Sequence, residues 1–379
     1  MLDLSDIPLV DNHCHPVMLD QQMDLVRFRS YFSEAADPSF AQRHVAESAY
    51  YLWLVRQATA FYGCPASEEA LIAARNALES DDLLARLFQD ANFAALVIDT
   101  GFPEGPHIYS PERMGELGHC RAARLFRLEP LMQRLVMAYS DFDEMVAHYE
   151  QEVSTIRERG YCGFKSIVAY RTGLNILEWT KDEAVASFAQ ARAEGLRQGT
   201  LRINHKPLLD YLLHVAFHYA SQQRLPVQFH TGYGDSDTNL LLGNPLHLRN
   251  IMERDDYRGM AIVLLHESYP YVQLGAYLAA IYPHVYFDLS YCIPFVDKLE
   301  MLAFTRQALG VAPASKLVYS SDGIHLPEMH WAAALRGRSI LAQVLQEMID
   351  AEELDYEQAQ HMARLILHDN AWRLYGLGN

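Results

Sequence analysis

The chain has few of the marks that would place it outside the cell or on a polyanion. Its five cysteines, Cys14, Cys64, Cys120, Cys162 and Cys292, are odd in number and widely spaced, with no CxxC pair. Neither a disulfide framework nor a zinc knuckle is suggested. Basic residues are scarce: 31 Lys and Arg stand against 48 Asp and Glu, a formal charge of −17, and no local block of positive charge reverses it. That balance disfavours a surface that tracks nucleic-acid phosphates or an anionic membrane. The N-terminus MLDLSDIPLV lacks the basic start and apolar core of a signal peptide, and no apolar run approaches the ~18 residues of a membrane span. A cytoplasmic protein acting on small molecules is expected, without nucleic-acid or membrane partners and with a homo-oligomer left open. Also missing are a GxGxxG turn, a Walker loop and a GxSxG elbow, which argues against dinucleotide, nucleoside-triphosphate and serine-hydrolase chemistry.

What is present is patterned. Half the residues are hydrophobic and about a fifth are charged, enough to bury a sizeable core. Eight short runs rich in β-branched and aliphatic residues read as buried parallel strands. They are IPLVDNHCH (7–15), FAALVIDTGF (93–102), RLFRLEPL (124–131), CGFKSIVAY (162–170), LPVQFHTG (225–232), MAIVLLHES (260–268), HVYFDLSY (284–291) and KLVYSSDG (316–323). Segments of helical periodicity lie between them, and this alternation predicts an α/β fold, a (β/α)8 TIM-like barrel. Residues 16–92 predict a helical insertion after strand 1, with ESAYYLWLVRQATAFYG, SEEALIAARNALES and DDLLARLFQD as helices. The last two are opened by Ser or Asp where an N-cap belongs. Residues 171–224 form a second long connection. Both leave strand C-terminal ends, so both are expected to overhang the mouth as a lid on a single domain spanning 1–379.

Polar residues gather at the same strand ends. His13 and His15 close strand 1, His230 strand 5, His266 strand 6 and Asp322 strand 8. Two apart on a strand, His13 and His15 point to one side while Cys14 points to the other. An HxH pair alone in a chain of 17 histidines is weak, but the order HxH, His, His, Asp at converging strand ends predicts a divalent-metal site. The helical pair His214 and His218 in HVAFH has zinc-protease spacing, yet Val215 stands where the glutamate base would be, so that motif is set aside.

DNHCHP, GFKSIVAYRTGL, QFHTGYGD, LLHESYP, YSSDG and HDNAWRLYGL together resemble the amidohydrolase superfamily. Within it the chain is most similar to the branch whose barrel is also found fused ahead of glutamine-synthetase-like domains in FluG and nodulin-type proteins, with uronate isomerase more distant. The resemblance implies that His13 and His15 bind the more buried metal, that His230 binds a metal, and that Asp322 both ligates and relays a proton. His266 would bind a second metal or donate to substrate. Lys165 matches the strand-4 lysine that many relatives carboxylate to bridge two metals, although its depth in GFKSIVAY leaves open a buried ion pair instead. The implied cofactor is one or two divalent ions, zinc first, with manganese or iron as alternatives.

Arg171 after strand 4 is a candidate to grip a substrate carboxylate in a bidentate fork. Arg127, expected on strand 3 with Glu129 on the same face, is a second candidate, with an internal Arg127–Glu129 pair as the alternative. Tyr233, Asp235, Glu267 and His325 are candidates to line the pocket. The resulting expectation is a metal-dependent hydrolase of a C–N bond, amide or amidine, in a small polar substrate, with a γ-glutamyl-type conjugate suggested by analogy alone. Sugar-acid isomerisation or non-oxidative decarboxylation on the same site is the alternative reaction. A non-catalytic, metal-binding regulatory barrel is the alternative role.

Overall fold

Eight strands follow one another around a single parallel sheet, each paired only with its neighbours in the sequence. In the computed structural model, which describes residues 2–378, they are β1 (Leu9–Cys14), β2 (Phe93–Asp99), β3 (Arg121–Arg127), β4 (Tyr161–Ser166), β5 (Val227–Phe229), β6 (Ile262–Leu264), β7 (Val285–Ser290) and β8 (Leu317–Ser320). The sheet nearly closes into a barrel. Where β8 meets β1, the His15 N–H donates to the Gly323 carbonyl at 2.8 Å and the Asp322 N–H to the His13 carbonyl at 3.0 Å.

The strands are apolar on both faces because both are covered. One face packs against the surrounding helices; the other fills the barrel with Val10, Ala95, Val97, Leu125, Val263 and Val318, against which Ala371, Tyr375 and Leu377 of the C-terminal segment pack. Above this apolar plug, the Tyr375 hydroxyl donates to Asn12 Oδ1 at 2.6 Å and accepts from Gln228 Nε2 at 2.7 Å. In β1 the register against β2 slips between Asp11 and Cys14. The extra residue lets Asn12 serve this inner layer while His13 and His15 still turn toward the mouth and Cys14 joins the helix-side core.

The observed strands differ from the expected runs at their ends, and the differences at β3 and β4 bear on the site. β3 starts earlier, at Arg121, and ends at Arg127, because LEPL opens the helix Leu128–Ala138. Pro130 sits in its first turn, where a proline is tolerated, so Glu129 is helical and does not share a strand face with Arg127. β4 stops at Ser166, and Val168–Tyr170 forms a 3-10 turn. The strand ends there because the buried Glu129 carboxylate accepts from the Ile167 N–H at 2.9 Å and the Ser166 hydroxyl at 2.7 Å. Lys165 therefore lies at the strand end, not deep within it.

The insertion after β1 contains the expected helices Ala49–Tyr62, Glu68–Asn76 and Ser80–Ala91, together with two short ones, Leu25–Ser30 and Ser39–Arg43. Ser67 caps the second as expected, its side chain accepting from the Ala70 N–H. Asp81, expected to cap the third, lies inside it, and Ser80 does not cap it either. Ser80 is the first helical residue, behind Glu79, whose side chain makes no cap bond. Among the described residues no helix is long and apolar enough to cross a membrane.

Candidate metal centre

β1 carries His13 and ends at Cys14; His15 follows it, His230 follows β5, and His266 and Asp322 lie two residues beyond β6 and β8. Barrel closure brings them together. Asp322 Oδ1 is 3.4 Å from His13 Nε2 and 3.6 Å from His15 Nε2, and its Oδ2 is 3.1 Å from His266 Nδ1. Lys165 Nζ is 3.4 Å from His13 Nε2. His230 stacks near His266, ring centroids 4.5 Å apart.

These separations fit a cation better than they fit hydrogen bonds. Two ligands about 2.0–2.1 Å from a tetrahedral ion lie roughly 3.3–3.4 Å from each other. The buried His266 Nδ1, close as it is to Asp322, satisfies no hydrogen bond. The far nitrogens of His15 and His230 are anchored instead. His15 Nδ1 meets the Phe102 carbonyl at 2.7 Å and His230 Nε2 the Tyr233 carbonyl at 2.6 Å, the outer-shell arrangement that fixes the tautomer of a metal-binding imidazole. His13, His266 and Asp322 form one group whose ligand atoms all lie within 4.8 Å; His13, His15 and Asp99 form another.

The electrostatics set the same protonation states a ligand set needs. Burial, then the charges of Lys165 and His15, holds His13 well below the ordinary imidazole range. Burial, then His266 and Lys165, does the same to His230. For Asp322 burial acts upward, but the charge of His266 and the close imidazoles of His15 and His266 outweigh it and hold the carboxyl well below its usual value. Burial brings the Lys165 amine down to about 8 against the opposing pull of Asp99.

Above the centre opens a cavity of about 420 Å³, lined by His15, Lys165, His230, His266 and Asp322 and by residues of both long connections. The first connection supplies Tyr31 and Glu34, the second Arg171 and Arg202; their outer helices lie away from the cavity wall. Arg171 has no ion-pair partner among the described residues: its Nη1 reaches only the Tyr170 carbonyl at 3.5 Å and its buried Nε bonds to nothing. Burial and then the charge of Arg202 pull its guanidinium below the usual value. Arg127 also lines the cavity, but it spends Nε and Nη2 on Asp99, at 2.9 and 2.5 Å. The Arg127–Glu129 pair does not form. Tyr233 and Asp235 reach the wall, as does His325, whereas Glu267 is buried outside it. His214 is committed elsewhere, to the Tyr257 hydroxyl at 2.7 Å and the Leu177 carbonyl at 3.2 Å.

Sequence reasoning missed three acids here. Asp99 ends β2 as Asp322 follows β8, and the same strand-end rule could have found it. Asp11 lies two residues before His13, with no motif reading attached to it. Glu34, pushed up to about 8 by burial and then by its hydrogen bond with Asp235, comes from the insertion, where nothing in the sequence marks it.

The family model described as amidohydrolase matches residues 174–377, just over half of the chain. The chain belongs to the amidohydrolase family. The matched span contains His230, His266 and Asp322; His13, His15 and Lys165 precede it. FluG of Emericella nidulans is 36% identical over 230 residues, 59% of this chain and 26% of that protein, so the match spans about a quarter of that relative's length. A structure from Lactobacillus casei, assigned as a metal-dependent hydrolase, superposes with a TM-score of 0.88 at 27% identity, covering 100% of this chain and 99% of that one. The uronate isomerase of Thermotoga maritima shares the fold, with a TM-score of 0.67 at 12% identity over 98% and 95% of the two chains. The family and fold are those of a metal-dependent enzyme.

Proposed function

We propose that this amidohydrolase is a hydrolase of a C–N bond, amide or amidine, in a small polar substrate that bears a carboxylate. The carrying observation is the pairing of an ionised Asp322 among three imidazoles with an Arg171 that lacks an anion, both on one cavity. His13, His15 and Asp322 would hold a divalent ion, zinc first, with His230, His266 and Lys165 completing one or two positions. When bound, the ion supplies Lewis acidity, polarising a substrate oxygen and bringing the pKa of water from 15.7 toward ~7.

The chain's own groups do the rest. Asp322, ionised and facing the cavity, accepts the proton of the attacking water and returns it to the leaving nitrogen. His266 orients the oxygen of the scissile group, and Arg171 grips the carboxylate with parallel N–H donors. Tyr233 and Arg127 shape the wall between them. Lys165 as an ammonium would repel a cation beside His13; as a free or carboxylated amine it would not, and intact mass tells the carboxylated form from the other two.

The test is turnover of a panel of N-acyl amino acids by metal-replete protein in 18O-labelled water. Release of amine with one labelled oxygen in the new carboxylate is expected. Turnover of a sugar acid with no label incorporated would replace hydrolysis by isomerisation, and loss of CO2 would replace it by decarboxylation.

A further inference from the structure

The ligand-bearing ends of β1 and β8 meet at the one junction of the barrel that lacks a regular ladder, and one side chain spans it. Asp11 is fully buried. Its Oδ1 accepts from the Ser321 N–H at 2.9 Å and from the His13 N–H at 3.3 Å, and its Oδ2 accepts from the Ser321 hydroxyl at 2.5 Å. The Ser321 oxygen in turn accepts from the Gly323 N–H at 2.9 Å. Donors on both sides of Asp322 are thus tied to the residue two before His13. Asp322 itself has a φ of 51°, a left-handed conformation that is unfavourable for a non-glycine residue and persists only where its surroundings hold it.

We propose that Asp11 is a positioning residue of the metal centre: by binding the backbone of His13 and the Ser321–Gly323 turn together, it sets the separation between the His13 imidazole and the Asp322 carboxylate. This rests on the reading of His13 and Asp322 as ligands. Asp11 does not touch the cavity, so it acts through them. Outer-shell groups that orient ligands are worth roughly 10–100-fold in metal affinity, and Asp11 serves both arms at once.

The experiment is zinc titration of the apo-protein in competition with a chromogenic chelator, with the thermal midpoint of each apo-protein measured alongside. Asp11→Ala is expected to weaken zinc binding about 10–100-fold. Asp11→Asn, which keeps an acceptor for the two N–H groups and can donate to the Ser321 oxygen, is expected to stay within a few-fold of the parent. Tyr375→Phe, at the barrel floor, is expected to lower the apo midpoint without changing zinc affinity. A purely structural Asp11 would make Asp11→Ala behave like Tyr375→Phe, and that result overturns the proposal. If Asp11→Ala does not fold, Ser321→Ala decides, since it removes one of the three bonds to Asp11 and with it the link from Asp11 to the Gly323 N–H: a weakened site supports the proposal and an unchanged one overturns it. His13→Ala separates the two readings. Zinc binding that survives His13→Ala defeats the ligand assignment, whereas binding lost in His13→Ala but intact in Asp11→Ala defeats only the role of Asp11.

Discussion

At the floor of the barrel, Tyr375, Asn12 and Gln228 close on one another with bonds of 2.6–2.7 Å, including Gln228 Nε2 to the Asn12 carbonyl. At the mouth, the Asp322 carboxylate stands 3.1–3.6 Å from nitrogens of His13, His15 and His266. Both groups are polar and enclosed. The floor leaves little over, only Asn12 Nδ2 and Gln228 Oε1, and its groups find their partners within the chain. The mouth turns His13, His15 and His266 toward one carboxylate and leaves the buried His13 Nδ1 and His266 Nδ1 without hydrogen-bond partners. Buried polarity alone therefore does not mark a site; polarity without mutual satisfaction does.

The sharpest way to break this contrast is at Asp322. Asp322→Asn should reduce turnover on the order of a thousandfold with little change in the melting curve, as measured by steady-state kinetics and circular dichroism. A large loss of stability with retained activity would place Asp322 with the floor. Next in size is the ion itself. Zinc at a hundred times its dissociation constant should stabilise the parent by about 2.7 kcal/mol, seen as a raised thermal midpoint. The shift should vanish in His13→Ala and persist in Tyr375→Phe.

At the cavity wall, Arg171→Ala should raise KM for a carboxylate substrate by about 10–100-fold while kcat changes little, the pattern of lost uniform binding. A neutral analogue of the same substrate should show no such change. The smallest effect belongs to the floor. Tyr375→Phe removes the hydroxyl that joins Asn12 to Gln228 and should cost about 1–2 kcal/mol in denaturant unfolding, with zinc affinity unaltered.

The order of eight strands was legible because parallel strands covered on both faces leave unbroken apolar runs, and each of those runs overlaps an observed strand. Their ends were less legible, since ends are set by tertiary partners. IVAY, rich in β-forming residues, leaves the sheet because Glu129 captures the Ile167 N–H, a contact between residues 38 apart. RLEPL imitates a strand until Pro130 is weighed as a first-turn helix residue. His13, His15, His230, His266 and Asp322 could be picked out because their chemistry is unusual at strand ends. Asp99 could have been, by the same reasoning. Glu34 could not, because nothing local tells which turn of a helical insertion folds back over a barrel.

The junction of β1 and β8 bears on when the ion can be taken up. Asp11 and Ser321 are 310 residues apart, so the first and last arms of the centre meet only after the intervening strands have wound through a full circuit. A nascent chain that has not yet emitted β8 possesses the two histidines of DNHCHP and Asp99, but neither Asp322 nor the tie from Asp11 to Ser321. A centre built on Asp322 would thereby be complete only in chains whose circuit has closed, and a truncated translation product would lack that arm.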